Sequence, residues 1–170
     1  HWRPQFVTED THEDRCHLSG MCLDNGVPAL VTSFSKTNAK QGWRINKNSS
    51  GLVIDVRTDE VLVEGLCVPH SPRIYQGKSW VCNSGKGELC TIDRGRLTTV
   101  ARVGGIARGL CFFGDYALVG LSRNRHNFSD IQVDGARCGI EVVALKTGTI
   151  VGGLYFDGVD EVFSVLNVER

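Results

Sequence analysis

One unit recurs three times along this chain, and a repeat of that length dictates a repeat architecture before any single residue is weighed. Each unit opens on a short polar motif: His17-Leu-Ser-Gly-Met, His70-Ser-Pro-Arg or Arg108-Gly-Leu. An apolar run follows, then a Gly-containing turn (Asn25-Gly26, Gln76-Gly77, Gly114-Asp115), then a second apolar run. The second runs close alike, on Thr32-Ser33, Asn83-Ser84 and Leu121-Ser122. In a ring of repeats, equivalent positions converge in space. Here they carry two imidazoles and a guanidinium, where a core would carry aliphatic side chains.

Strand signals come in fours. The first set is 18–23, 28–34, 51–56 and 60–66, and the second is 70–75, 79–83, 88–93 and 97–103. The third is 106–113, 116–122, 139–145 and 149–156, and a last stretch at 161–168 starts a fourth. β-Branched enrichment and alternation are clear in Leu52-Val-Ile-Asp-Val and Glu141-Val-Val-Ala-Leu. Repeated four-stranded meanders of about forty residues are the signature of propeller blades. A sandwich would also show regular short strands, but it gives no reason for the sets to resemble one another. The expected fold is therefore all-β: a β-propeller of four-stranded antiparallel blades at roughly 17–66, 69–103 and 105–156, with an extra strand over 160–168. Closure takes at least four blades, so the 170 residues predict one partial propeller domain. Self-association, or a missing N-terminal half of the same polypeptide, would complete the ring.

Two connections are long and polar, 35–50 and 123–137, and each joins the second strand of a set to its third. In a propeller that connection lies on the face where the innermost strand begins. Both loops are thus expected over the mouth from which His17, His70 and Arg108 emerge. Long loops in compact domains are more often functional than neutral.

Six motifs carry a family resemblance: Asp14-Arg-Cys-His-Leu-Ser-Gly20, Gly42-Trp-Arg44, Pro69-His-Ser-Pro-Arg73, Asn83-Ser-Gly85, Arg108-Gly-Leu110 and Val119-Gly-Leu-Ser122. Together, and with His1-Trp-Arg-Pro4 and Phe6 ahead of them, they resemble a bacterial family of propeller-like conserved hypothetical proteins across essentially the whole chain. The resemblance implies the propeller fold and carries no established activity. It also implies that this chain corresponds to the C-terminal half of such a protein, without the N-terminal blades and their own His/Asp motif. Ser19 stands where that family usually has Asn, and the loop at 123–137 is compressed.

Charge excludes some partners. Nineteen basic and nineteen acidic residues cancel, leaving no field to steer nucleic acid or an anionic membrane. No apolar run approaches the length of a bilayer span. The seven cysteines fit neither a zinc Cys-x-x-Cys spacing nor a secreted disulfide framework. Most sit in strand-like runs as small hydrophobes, which points to a reducing, cytoplasmic compartment.

The candidate site residues follow from the repeat. His17 and His70 are candidate metal ligands, for a divalent ion such as zinc, although a catalytic zinc takes three protein ligands and only two are visible. The plainer role for each is to satisfy backbone groups where a strand begins. Arg108, Arg73, Arg44 and Arg123 are candidates for holding a carboxylate or phosphate bidentately. Arg108 is the best placed, being equivalent to the two histidines. Trp43 beside Arg44 suits a ligand cap, and Glu161, at the matching position of the last set, is also expected at the mouth. Surface ion pairing is the competing role for Arg44 and Arg123. His1, His12 and His126 read as solvated. No P-loop, dinucleotide fingerprint or nucleophile elbow is present. The leading expectation is a binding module for a small polar or anionic ligand. The alternatives are a metal-dependent lyase or hydrolase using the histidines, and a protein-interaction scaffold.

Overall fold

Tight turns at Asn25-Gly26, Gln76-Gly77 and Arg94-Gly95 put backbone into the left-handed region that two-residue hairpins need. Around these turns the computed structural model, which describes residues 2–168, forms twelve strands. His1 lies outside the described residues. The first sheet contains β1 (Leu18–Asp24), β2 (Val27–Ser33), β3 (Gly51–Asp55) and β4 (Glu60–Leu66), paired in that order. The second contains β5 (His70–Tyr75), β6 (Lys78–Asn83), β7 (Glu88–Asp93) and β8 (Arg96–Arg102). The third contains β9 (Ile106–Phe113), β10 (Tyr116–Ser122), β11 (Gly139–Ala144) and β12 (Thr149–Tyr155). Every pairing is antiparallel. The fold is all-β, and the three sheets do not close on one another as a ring.

The expected extra strand over 160–168 is not formed. Residues 157–168 join no ladder, and their ties to the third sheet are single bonds, the Arg123 N–H donating to the Asp160 carbonyl and the Val162 N–H to Ser122 Oγ. The segment instead crosses the face of the third sheet. Val165 is buried against Gly109 and Gly120, where a Cβ on Gly109 would come within 2.8 Å of the valine side chain.

The first strands of the three sheets are neighbours, β1 beside β5 and β5 beside β9. Their contact is close: a Cβ on Gly20 would meet the Pro72 ring at 2.9 Å and the Ser71 backbone nitrogen at 3.0 Å. Hydroxyls stitch the same line. Ser19 Oγ donates to the Pro69 carbonyl at 2.6 Å, and Ser71 Oγ donates to the carbonyl of Arg108. One apolar core lies between the first and second sheets (Leu30, Val53, Leu66, Val81, Cys90) and another between the second and third (Trp80, Leu89, Leu110, Val119, Leu121). Burying these side chains is what fixes the sheets face to face, at roughly 1.5–3 kcal/mol for each large one.

Two of the three helical turns lie in the long loops: α1 (Trp43–Asn46) between β2 and β3, and a 3-10 turn (His126–Phe128) between β10 and β11. The third, Ser84–Lys86, links β6 to β7. Among the described residues, no helix is long and apolar enough to cross a membrane. All seven cysteines are free thiols, and all but Cys111 are buried. Desolvation pushes the Cys67 and Cys90 thiols up to about 11 and Cys82 up to about 12, so these groups stay uncharged.

Candidate functional site

Where the first strands begin, a partly open cavity of about 80 Å³ lies under the two long loops. That is room for a small molecule of a few heavy atoms. Its polar lining is His17, His70, Arg108 and Arg125, and its apolar lining is Phe34, Val68, Ile106, Phe128 and Ile131. The repeat thus delivers His17, His70 and Arg108 to one place. His17 stands one residue ahead of β1, His70 opens β5, and Arg108 is the third residue of β9. Two lining residues, His17 (φ 56°) and Val68 (φ 40°), hold backbone conformations that L side chains rarely adopt. Such conformations cost on the order of 1–3 kcal/mol and persist only where the surroundings enforce them.

Each histidine has its Nδ1 fixed by the chain. His17 Nδ1 lies 3.0 Å from Asp14 Oδ2, and the same oxygen accepts from Trp43 Nε1 at 2.8 Å. A carboxylate can only accept, so the proton is on His17 Nδ1. The ring is packed 4.5 Å from Phe34 and 4.6 Å from Trp43, centroid to centroid. His70 Nδ1 lies 2.9 Å from the Val68 carbonyl and 2.9 Å from Ser84 Oγ. A carbonyl also only accepts, so His70 carries its proton on Nδ1 and leaves Nε2 as a bare lone pair. Burial, reinforced by the positive charge of Arg108, pushes the His70 pKa down to about 3. The ring is therefore neutral at any physiological pH.

The guanidiniums form the opposite side. Arg108 is largely buried, with burial and the neighbouring Arg125 weighing against its charge and Glu161 supporting it. Arg108 Nη1 lies 3.5 Å from Glu161 Oε2, Arg125 pairs with the other carboxylate oxygen, and Phe163 lies under the Arg108 guanidinium at 4.1 Å. Arg108 Nε is buried and has no hydrogen-bond acceptor among the described residues. Such an unpaired donor costs roughly 1–3 kcal/mol, more when charged. Two guanidiniums share one carboxylate, so the cavity side carries an uncompensated positive charge.

The other sequence candidates do not line the cavity. Trp43 is buried behind His17, and Arg44 stacks on its outer face at 4.2 Å while bonding Gln41. Arg73 is spent on backbone, with Nε donating to the Leu110 carbonyl at 3.0 Å and Nη1 to that of Pro72 at 2.8 Å. Arg123 is exposed, and its N–H donates to the Asp160 carbonyl. Glu161 reaches the site only through the two arginines. His12 and His126 are exposed. Sequence reasoning missed Arg125 and the apolar wall. Arg125 lies in the loop already marked as overhanging the mouth, two residues from Arg123, and only the loop's path decides which of the two turns inward.

Among the described residues, no group of three or more His, Cys, Asp or Glu side chains is arranged to hold a metal ion. Two guanidiniums that share a single carboxylate suit an anion better than a cation.

Fold and site together define an all-β protein of three antiparallel four-stranded sheets with a small, positively charged cavity where their first strands meet. The chain belongs to the family described as a domain of unknown function (DUF4915), whose model matches residues 1–170. The chain is similar in fold to the crystal structure of the computationally designed Ika4 protein, with a TM-score of 0.54, 12% identity, and coverage of 94% of this chain and 85% of that one. A further match is the computationally designed Ika8 protein, with a TM-score of 0.48, 14% identity, and coverage of 89% of this chain and 40% of that one. No curated protein matches the chain.

Proposed function

We propose that this domain is a binding module for a small anionic ligand, held in the cavity formed by His17, His70, Arg108 and Arg125, and that its three sheets are blades of a partial β-propeller forming a single domain. The observation that carries the reading is the buried Nε–H of Arg108, a charged donor without an acceptor among the described residues, on a side chain that lines a cavity of net positive charge. An anion there would take up that donor and share the charge of both guanidiniums, as in other Arg-built anion sites. Phe34, Val68 and Phe128 would exclude water and strengthen the interaction. Glu161, in a segment without a ladder, offsets part of the positive charge in the unliganded state. The adjacency of β1 to β5 and of β5 to β9 supports the propeller reading, since blades meet along their first strands.

Thermal unfolding in the presence of acetate, phosphate or chloride at matched ionic strength tests this. A rise in melting temperature with acetate or phosphate, absent in Arg108→Met, is the expected result. Equal curves for all three salts in the native protein would refute the proposal.

A metal-assisted lyase or hydrolase is favoured by one observation only, that both imidazoles have Nδ1 fixed by an acceptor, the usual outer-shell arrangement of ligating histidines. It calls for a third ligand from elsewhere and must overcome the two guanidiniums.

A further inference from the structure

The chemistry of His70 narrows the ligand class, on the premise that the cavity binds an anion. We infer that the site takes a short-chain 2-hydroxycarboxylate, its carboxylate on Arg108 and its hydroxyl donating to His70 Nε2. The carboxylate follows from the unpartnered Arg108 Nε–H and the Arg125 guanidinium on the same lining.

The hydroxyl follows from the tautomer. The Val68 carbonyl at 2.9 Å requires the proton on His70 Nδ1, and Ser84 Oγ, on the same nitrogen, is directed toward the Cys82 carbonyl. Nε2 therefore offers only a lone pair to the cavity. Burial and the cation opposite keep it from taking up a proton, so it cannot serve as a second anion-binding group. What satisfies it is a hydrogen-bond donor on the ligand. That donor must be neutral, because an ammonium would be brought against Arg108 and Arg125 with one carboxylate, Glu161, between them. A hydroxyl is the smallest neutral donor that fits about 80 Å³ beside a carboxylate. The apolar side, Phe34, Ile106 and Phe128, offers no partner for a second charge. A site built around a hydrogen bond to a substrate hydroxyl discriminates strongly against the analogue without it, because the buried partner is then left unpaired.

Calorimetric titration of the native protein with glycolate, acetate and glycine at pH 7 tests the inference without any variant. Glycolate is expected to bind at least tenfold more tightly than acetate, and glycine to give no heat. The His70→Phe variant, checked for native melting, is expected to bring glycolate and acetate within about twofold of each other by removing the acceptor. Should that variant not fold, the native three-ligand series decides alone. Equal affinity for glycolate and acetate overturns the hydroxyl assignment and leaves the anion site standing. Binding of glycine as tight as glycolate overturns it too. If none of the three binds, both this inference and the anion-site proposal fall.

Discussion

The His17 side of the cavity and the His70 side hold equivalent positions of the repeat, and both fix a ring through Nδ1. Their acceptors differ. His17 leans on the carboxylate of Asp14, which Trp43 also bonds, and remains about two-fifths exposed. His70 leans on a backbone carbonyl, lies deep beside Arg108, and is held neutral. The repeat decides where a side chain goes; the neighbours decide what it can do. One imidazole is left half-exposed against a carboxylate, and the other is a fixed acceptor.

The sharpest way to break this contrast is at the packing behind His17. Trp43 is buried in a cluster with Phe34, Cys67 and Ile106, and its indole N–H bonds Asp14. Trp43→Ala is expected to lower stability by about 3–5 kcal/mol, read by urea unfolding. A loss below about 1 kcal/mol would show that the loop at 35–50 is not what braces that wall.

An effect of similar total size, but spread over several pH units, belongs to His70. Its folded pKa of about 3 lies below the ordinary 6.5, so between those values the unfolded chain binds a proton that the folded chain does not. Stability is therefore expected to fall as pH drops from about 6.5 toward 3, by up to about 1.4 kcal/mol per unit from this group. The His70→Phe variant should lose that part of the slope. An unchanged slope would mean that His70 is not held neutral by its surroundings.

Asp14→Asn separates the two sides more gently. It keeps an acceptor for Trp43 and removes the charge facing His17. The ring-nitrogen resonances of His17 are expected to shift at fixed pH and those of His70 to stay put, in NMR spectra of the imidazoles. Movement of both by similar amounts would dissolve the contrast. The smallest effect is Arg44→Ala, an exposed stack on Trp43, expected to change stability by no more than about 0.5 kcal/mol.

Much of this was legible in the sequence, for physical reasons. Strands at 60–66, 70–75, 88–93, 106–113 and 116–122 were read to the residue, because hairpin glycines and alternating apolar residues mark both ends of each. The convergence of His17, His70 and Arg108 was legible because repeats place equivalent positions together. The stretch at 160–168 was misread because apolar alternation signals a face to bury, and a face can be buried by packing, as Val165 does, without a partner strand. Arg73 was legible as a charged residue near the site but not as a backbone tie to Leu110, since that depends on how closely β5 approaches β9. Arg125 was hidden by loop geometry.

The anion site turns on one donor, the Nε–H of Arg108, and nitrogen-detected NMR of ¹⁵N-arginine protein reads that group directly. Its signal, assigned by its loss in Arg108→Lys, is expected to move markedly downfield and to become protected from exchange when glycolate is added. An Arg108 Nε–H signal that stays fixed at saturating glycolate would contradict the account.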